Sequence, residues 1–351
     1  MSKPDAFVYV DLEGMPRLAG RLWVHVRGSN HRASFEYDDT WISADHRFAL
    51  EPALQVGPGP FHTPTGRALF SAVGDSAPDR WGRTLLARRE RLQAKEEGRT
   101  PRTLLEIDYL LGLSDLTRQG ALRFKREVDG PFLAEGSGNV PPFVELGRLL
   151  VATTRVAEDE ETAEDLQLLL APGSSLLGSR PKASVRGKAG ELMMAKFNRP
   201  DDDYDVGRWE GIAMCLAELA GLDVASWGVE QVNGRTVLLM RRFDRIGRVR
   251  IPFLSALSML EAADGEIRSY REIADSLRIH SASTTKDLSE LWRRVVFTVL
   301  ISNTDDHLRN HGFLYVGDAG WRLSPAYDLN PVPTDIRPRI LSTAIEDQDC
   351  S

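Results

Sequence analysis

The sequence predicts an α+β protein of two lobes, preceded by a β-rich and helical N-terminal subdomain. Three observations carry that reading. The 351 residues suggest two compact units, or one large enzyme with two lobes. Short apolar runs bounded by Gly, Pro or Asn-Gly alternate with segments of helical rhythm, so neither an all-β nor an all-α pattern fits. Hydrophobic residues make up 42% of the chain and charged residues 27%, which excludes disordered and fibrous classes.

In chain order, residues 6–10 and 21–26 read as strands around the Gly14-Met15-Pro16 turn, followed by the aromatic-rich stretch Phe35 to Trp41. Thr65 to Arg99 reads as helix, with Leu69, Trp81, Leu85 and Leu86 spaced among arginines, and Gly120 to Phe124 as a strand. The Gly/Pro/Ser-rich stretch Val128 to Pro142 is a linker, which sets a boundary near residue 140. The acidic run Glu158 to Asp165 suits a solvated helix face or a first turn. Beyond a Gly/Ser loop (172–179) come a strand pair (183–185 and 191–197), a helix from Arg208 to Ala220, and a hairpin around Asn233-Gly234. A helix over Asp287 to Ile301 sets Leu288, Leu291, Trp292, Val295, Val299 and Leu300 as a buried stripe.

Lys plus Arg (44) against Asp plus Glu (51) leaves a net charge of −7, which disfavours direct, non-specific nucleic-acid binding. Two cysteines, Cys215 and Cys350, cannot build a disulfide framework or a four-ligand zinc site. Cys215, inside an apolar helical pattern, is expected to be buried. The N-terminus shows no hydrophobic signal core and Val295 to Ile301 is too short to span a bilayer, so a cytoplasmic protein with no membrane partner is expected.

The densest chemistry comes directly after the last helix, in Ser302-Asn303-Thr304-Asp305-Asp306-His307-Leu308-Arg309-Asn310. Asp305 and Asn310 stand at the spacing of D-x-x-x-x-N, in which kinases use the Asp to receive a hydroxyl proton and the Asn to bind magnesium. A hairpin over 313–323 then delivers Ser324-Pro325-Ala326-Tyr327-Asp328, placing a second carboxylate at a strand end 23 residues after Asp305. Alone, these residues also suit a polar turn with capping Asp and Asn. His307 either orients Asp305 and its loop or is structural.

The second constellation is Gly173-Ser174-Ser175-Leu176-Leu177-Gly178-Ser179-Arg180-Pro181-Lys182. Its small residues let backbone amides approach phosphate, and it is not a Walker A loop, because Pro181 precedes Lys182 and Ala183 succeeds it. The order of the elements C-terminal to it raises it above a turn: a strand ending in Lys196, a helix carrying Glu210, a hairpin, a helix, the Asp305 loop and Asp328. Kinases use that series.

On these residues the chain resembles the HipA family of serine/threonine protein kinases, the toxin halves of bacterial toxin–antitoxin pairs. Asp75 to Arg83 (DSAPDRWGR) and Gly120 to Phe124 (GALRF) are similar to its N-terminal subdomain, 174–182 to its ATP-covering loop, Arg242-Phe243-Asp244-Arg245 to its interlobe segment, and Leu323 to Asp328 to its metal-binding segment. The resemblance implies a two-lobed protein-kinase-like fold, with residues 1–140 as the added subdomain, 141–245 as the N-lobe and 246–351 as a helical C-lobe shorter than the family's. It implies ATP and Mg2+ as cofactors. Asp305, beside His307, is the implied catalytic base, and Asn310 and Asp328 the metal ligands. Lys196, Glu210, Ser175, Gly178, Ser179, Lys182 and Phe243 would serve nucleotide binding, and Ser175, with Ser174 as neighbour, autophosphorylation. The implied partners are a helix-turn-helix antitoxin, with DNA reached only through it, and a substrate from the translation machinery such as an aminoacyl-tRNA synthetase. Leu177 and Arg241 depart from the family pattern. A small-molecule or lipid kinase, or an inactive pseudokinase acting as co-repressor, are the alternative functions.

Overall fold

The computed structural model describes residues 3–28, 30–133, 140–170, 180–333 and 340–346. β1 (Ala6–Leu12) and β2 (Met15–Arg27) form a hairpin in which Glu13 and Gly14 both take positive φ, 53° and 81°, the geometry a tight primed turn requires. β3 (Asn30–Tyr37) continues the sheet, and Asp38 caps the short helix α1 (Asp39–Ile42) by accepting from Thr40 N. With β4 (Pro60–His62) and β5 (Leu122–Lys125) the antiparallel order is β4-β3-β2-β1-β5. Between β4 and β5 run α2 (Ser71–Asp75), α3 (Arg80–Glu96) and α4 (Glu106–Leu111).

α5 (Leu146–Ala157) and α6 (Ala163–Leu170) precede a second antiparallel sheet. Its strands are β6 (Lys182–Arg186), β7 (Leu192–Phe197), β8 (Trp227–Val232) and β9 (Arg235–Arg241), in the order β6-β7-β9-β8. α7 (Val206–Leu219) connects β7 to β8 and lies close on the sheet: a Cβ on Gly211 would come within 2.9 Å of Val229 Cγ2. The chain then makes a two-residue ribbon, β10 (Arg245–Ile246) and β11 (Val249–Arg250), before β12 (Phe253–Ser255). The helices α8 (Ala256–Met259), α9 (Tyr270–His280) and α10 (Thr284–Leu300) come next. β13 (Gly312–Tyr315) and β14 (Trp321–Leu323) close a small sheet with β12.

Among the described residues there are three apolar cores, and the first two show how the N-terminal part is tied in. The first joins the β1–β5 sheet (Leu22, Phe35, Phe124) to Ile273, Leu277, Leu291 and Phe313 of the C-terminal half. The second sets Trp81, Leu85 and Leu86 of α3 under α5, α6 and the inner positions Ala195, Val237 and Leu239 of the second sheet. The third uses the opposite positions Met194, Leu238 and Met240 against α7, Phe297 and Tyr327. The two-residue alternation of β7 and β9 thus feeds two cores from one sheet. Fully burying a side chain such as Phe35 or Leu85 contributes about 1.5–3 kcal/mol.

Two expectations are corrected. Cys215 is exposed, because α7 turns that position away from the sheet. On α10 only part of the expected stripe is covered: Leu291 is buried, whereas Trp292 and Leu300 are 67% and 72% exposed. Leu291 belongs to the first core, with Ile273 and Leu277 of α9, and the adjacent position necessarily falls about 100° round the helix. No helix among the described residues is long and apolar enough to cross a membrane.

Candidate active site

A pocket opens where the second sheet meets the C-terminal half, enclosing roughly 470 Å3 including space shared with solvent. Met194, Met240, Phe243 and Tyr327 form apolar walls, and Lys196 and Asp328 bring charge. Phe243 and Tyr327 are ring neighbours at 5.2 Å, so the interlobe segment and the segment after β14 make one wall.

Lys196 emerges from β7 on the same face as Met194. Its Nζ lies 2.6 Å from Glu210 Oε1 of α7 and 2.5 Å from Asp328 Oδ1. Asp205 caps α7 by accepting from Arg208 N, which fixes the helix start ahead of Glu210. Burial acts to lower the Lys196 pKa, but Asp328 and Glu210 overcome it and hold the ammonium above its ordinary value. Asp328 is the converse: burial raises it, and Lys196 outweighs that, leaving it at about 2 and ionised. Burial raises Glu210 against the pull of Lys196. Asp328 takes φ +59°, and Ala326 fastens the segment by donating to Asp223 O and accepting from Ala225 N.

After α10 the chain reverses at Ser302 (φ +56°) into the polar loop. Asp305 is exposed, and its carbonyl accepts from Asn310 Nδ2 at 3.1 Å. Leu308–Asn310 form a single 3-10 turn, which Tyr327 O–H secures by donating to Arg309 O at 2.7 Å. His307 is half-buried, its backbone N–H donates to Asp305 O, and its Nδ1 has no partner among the described residues. Asn310 is buried with its Oδ1 likewise unpartnered. An ionised carboxylate and a free amide oxygen are the hard donors magnesium takes, so Asp328 and Asn310 fit that ion.

Lys182 lies deeper than the sequence suggests. Its Nζ meets Asp79 Oδ2 at 2.5 Å, both side chains being 2% exposed. Phe243, Lys196 and Asp328 therefore share the pocket, whereas Lys182 is engaged by the N-terminal subdomain beside it. Ser174, Ser175, Gly178 and Ser179 fall outside the described residues.

Sequence reasoning missed three residues. Asp79 both caps α3 through Gly82 N and pairs with Lys182, and an Asp just before an apolar helical run is a legible cap signal. Asp75 accepts from Ser255 N and Oγ at 2.7 and 2.8 Å and from Arg309 Nη1 at 3.4 Å, reaching the polar loop itself. Asp306, beside the candidate base, points inward to Tyr270 O–H, Thr298 Oγ1 (3.3 Å) and His311 Nε2 (3.1 Å). Nothing local in the sequence separates its role from that of Asp305 except the spacing to Asn310.

The pairing of a sheet lysine with a helix glutamate and a post-hairpin aspartate at an apolar pocket, whose wall residue Tyr327 is bonded to the D-x-x-x-x-N loop, defines a two-lobed kinase-like protein. The HipA-like C-terminal domain model matches residues 174–350 and the HipA N-terminal domain model matches 13–105. The chain belongs to the HipA family. A Sinorhizobium fredii (strain NBRC 101917 / NGR234) protein named "Putative kinase Y4dM" is 35% identical over 139 residues, covering 37% of this chain and 33% of that one. A Haemophilus influenzae (strain ATCC 51907 / DSM 11121 / KW20 / Rd) protein named "Putative kinase" is 31% identical over 142 residues, 35% of this chain and 41% of that one. The chain thus matches between a third and two fifths of the length of these relatives. Among solved structures, HipA of Shewanella oneidensis MR-1, determined in complex with HipB and its operator DNA, is similar with a TM-score of 0.67. It is 16% identical, with 97% of this chain and 79% of that chain covered, and it shares the fold.

Proposed function

We propose that the chain is an ATP- and magnesium-dependent protein kinase that phosphorylates a serine or threonine hydroxyl and acts as the toxin of a toxin–antitoxin pair. The observation that carries this reading is Lys196 held between Glu210 and Asp328 at the wall of an apolar pocket, beside a loop that leaves Asp305 open to solvent. The pocket walls Met194, Met240, Phe243 and Tyr327 suit the flat apolar face of adenine. Lys196 then meets the phosphates, with Glu210 keeping its ammonium aimed. Asp305 accepts the hydroxyl proton as the oxygen bonds to the γ-phosphorus and the bond to the bridging oxygen of ADP breaks. Asp328 and Asn310 would hold magnesium, which would supply positive charge to the phosphate oxygens.

By analogy with the Shewanella complex, the neutralising partner is a small helix-turn-helix protein, and DNA is reached through it. The target is a protein of translation, of the aminoacyl-tRNA synthetase class, and Ser175 is the autophosphorylation site. Purified protein incubated with γ-labelled ATP and Mg2+ should acquire label at Ser175, read by mass spectrometry, and EDTA should prevent it. Absence of label on the protein and on every added synthetase overturns the kinase reading.

A further inference from the structure

At the Asp328 end of the pocket the Asn330 side chain presents an oxygen that nothing among the described residues uses. Asn330 Nδ2 donates to Asp328 Oδ1 at 3.1 Å and lies 3.4 Å from the Asp328 carbonyl. A carboxylate and a carbonyl only accept, so the amide cannot be turned round, and Oδ1 is the atom left over. It is buried and has no hydrogen-bond partner among the described residues. Asn310 repeats the arrangement: its Nδ2 is committed to Asp305 O, and its Oδ1 is buried and has no partner among the described residues. A buried amide oxygen without a donor costs about 1–3 kcal/mol, and two of them, on the residues that flank the site's aspartates, have one economical explanation in a bound cation.

The backbone holds Asn330 in place for this. The left-handed turn at Asp328 folds residue 330 back onto the carboxylate. Pro331 comes next and restricts Asn330 to extended backbone, and Val332 N donates to Ser302 O at 3.1 Å, at the entrance to the polar loop. The segment that carries Asn330 is therefore anchored on both sides of it, at Asp328 and at Val332. The site's ammonium, Lys196, is already shared by Glu210 and Asp328 and is not free to satisfy it.

We infer that Asn330 Oδ1 is a further oxygen ligand for the divalent cation, joining Asp328 and Asn310. This rests on the reading that the pocket takes a nucleotide with its cation. A neutral ligand suits the task, since it adds a hard donor without adding charge that would repel the triphosphate.

The test is Mn2+ binding monitored by electron paramagnetic resonance, with a non-hydrolysable ATP analogue present, for wild type, Asn330→Ala and Asn330→Asp. The alanine variant should bind Mn2+ at least about tenfold more weakly, since losing even an outer-shell partner of a ligand costs about 10–100-fold in metal affinity. The aspartate variant, which keeps an oxygen and adds charge, should bind it more tightly than wild type. Metal-free analogue affinity in EDTA should be the same for wild type and Asn330→Ala, and lower for Asn330→Asp, whose added charge repels the triphosphate. Wild-type Mn2+ affinity in Asn330→Ala overturns the inference even where phosphoryl transfer falls, because the amide then only positions Asp328 or holds water. If Asn330→Ala does not fold, Asn330→Asp decides: a larger Mn2+-induced rise in Tm than wild type supports the ligand, and an equal or smaller rise overturns it. Wild type that binds the analogue but no Mn2+ defeats this inference alone, and wild type that binds neither defeats the kinase reading beneath it.

Discussion

Lys182 and Lys196 are direct partners across β6 and β7, so two ammonium groups share one face of the sheet. Like charges directly opposite destabilise a strand pair unless each finds a counter-charge. Lys196 has Glu210 and Asp328, whereas Lys182 has Asp79, delivered by the residue that caps α3 in the N-terminal subdomain. Asp79→Asn should therefore remove the ion-pair partner seen at 2.5 Å from a buried lysine and cost about 3–5 kcal/mol, measured as a lower denaturant midpoint. The double variant Asp79→Leu with Lys182→Met should recover much of that loss. A single variant as stable as wild type would show that Lys182 finds another anion.

The adjacent carboxylates Asp305 and Asp306 should separate cleanly. Asp305 is exposed and its side chain has no packing role, so Asp305→Asn should lose phosphoryl transfer by several orders of magnitude with an unchanged Tm. Asp306 is buried on Tyr270, Thr298 and His311, and its carbonyl accepts from Thr343 Oγ1. Asp306→Ala should cost about 2–4 kcal/mol by leaving those side-chain donors unsatisfied. Autophosphorylation assays and thermal melts on both variants check this, and full activity in Asp305→Asn would remove it as the base.

Glu51 gives the fold a pH dependence. It is buried beneath α2 and accepts from Ala72 N at 2.6 Å, and burial, with Asp75 adding repulsion, pushes its carboxyl from 4.5 up to about 7. Below about pH 4.5 both folded and unfolded chains hold the proton and its contribution is fully present. Between 4.5 and 7 the unfolded chain releases the proton first, so stability falls as pH rises, by up to about 3 kcal/mol once pH passes 7. Glu51→Gln keeps an oxygen for Ala72 N and should flatten that slope, leaving the variant more stable than wild type at about pH 8. Urea midpoints across that range measure it, and equal slopes would show that Glu51 is not the source.

The order of elements was legible because each carries local chemistry: Asn233-Gly234 makes the β8–β9 hairpin, and alternation places Met194 and Lys196 on one face of β7. The pairing of Lys196 with Glu210 was likewise open to sequence reasoning, through the kinase-like order of a strand lysine and a glutamate on the helix after it, whereas the contact of Lys196 with Asp328, 132 residues on, was not. The engagement of Lys182 by Asp79 was not, because 103 residues separate them and no local pattern encodes which face of α3 meets the second sheet. Trp292 misled for a related reason: helical periodicity marks an apolar stripe but does not say how wide a neighbour covers it.

Asp328 is bound to Lys196 in the structure, and that fixes what its replacement does. The carboxylate is ionised, at about 2, because Lys196 outweighs its burial, so a cation entering the site at neutral pH meets a charged ligand. Asp328→Asn removes that charge while leaving Lys196 its partner on α7, Glu210 Oε1 at 2.6 Å, so the sheet and helix remain joined. The variant should keep metal-free nucleotide affinity within a few fold. It should lose at least about tenfold in affinity for nucleotide with Mg2+, a charged ligand to a hard cation having become neutral. Titration calorimetry with and without EDTA separates the two quantities. Equal affinity for the magnesium complex in wild type and variant would take Asp328 out of the metal site and leave it as the counter-ion of Lys196 alone.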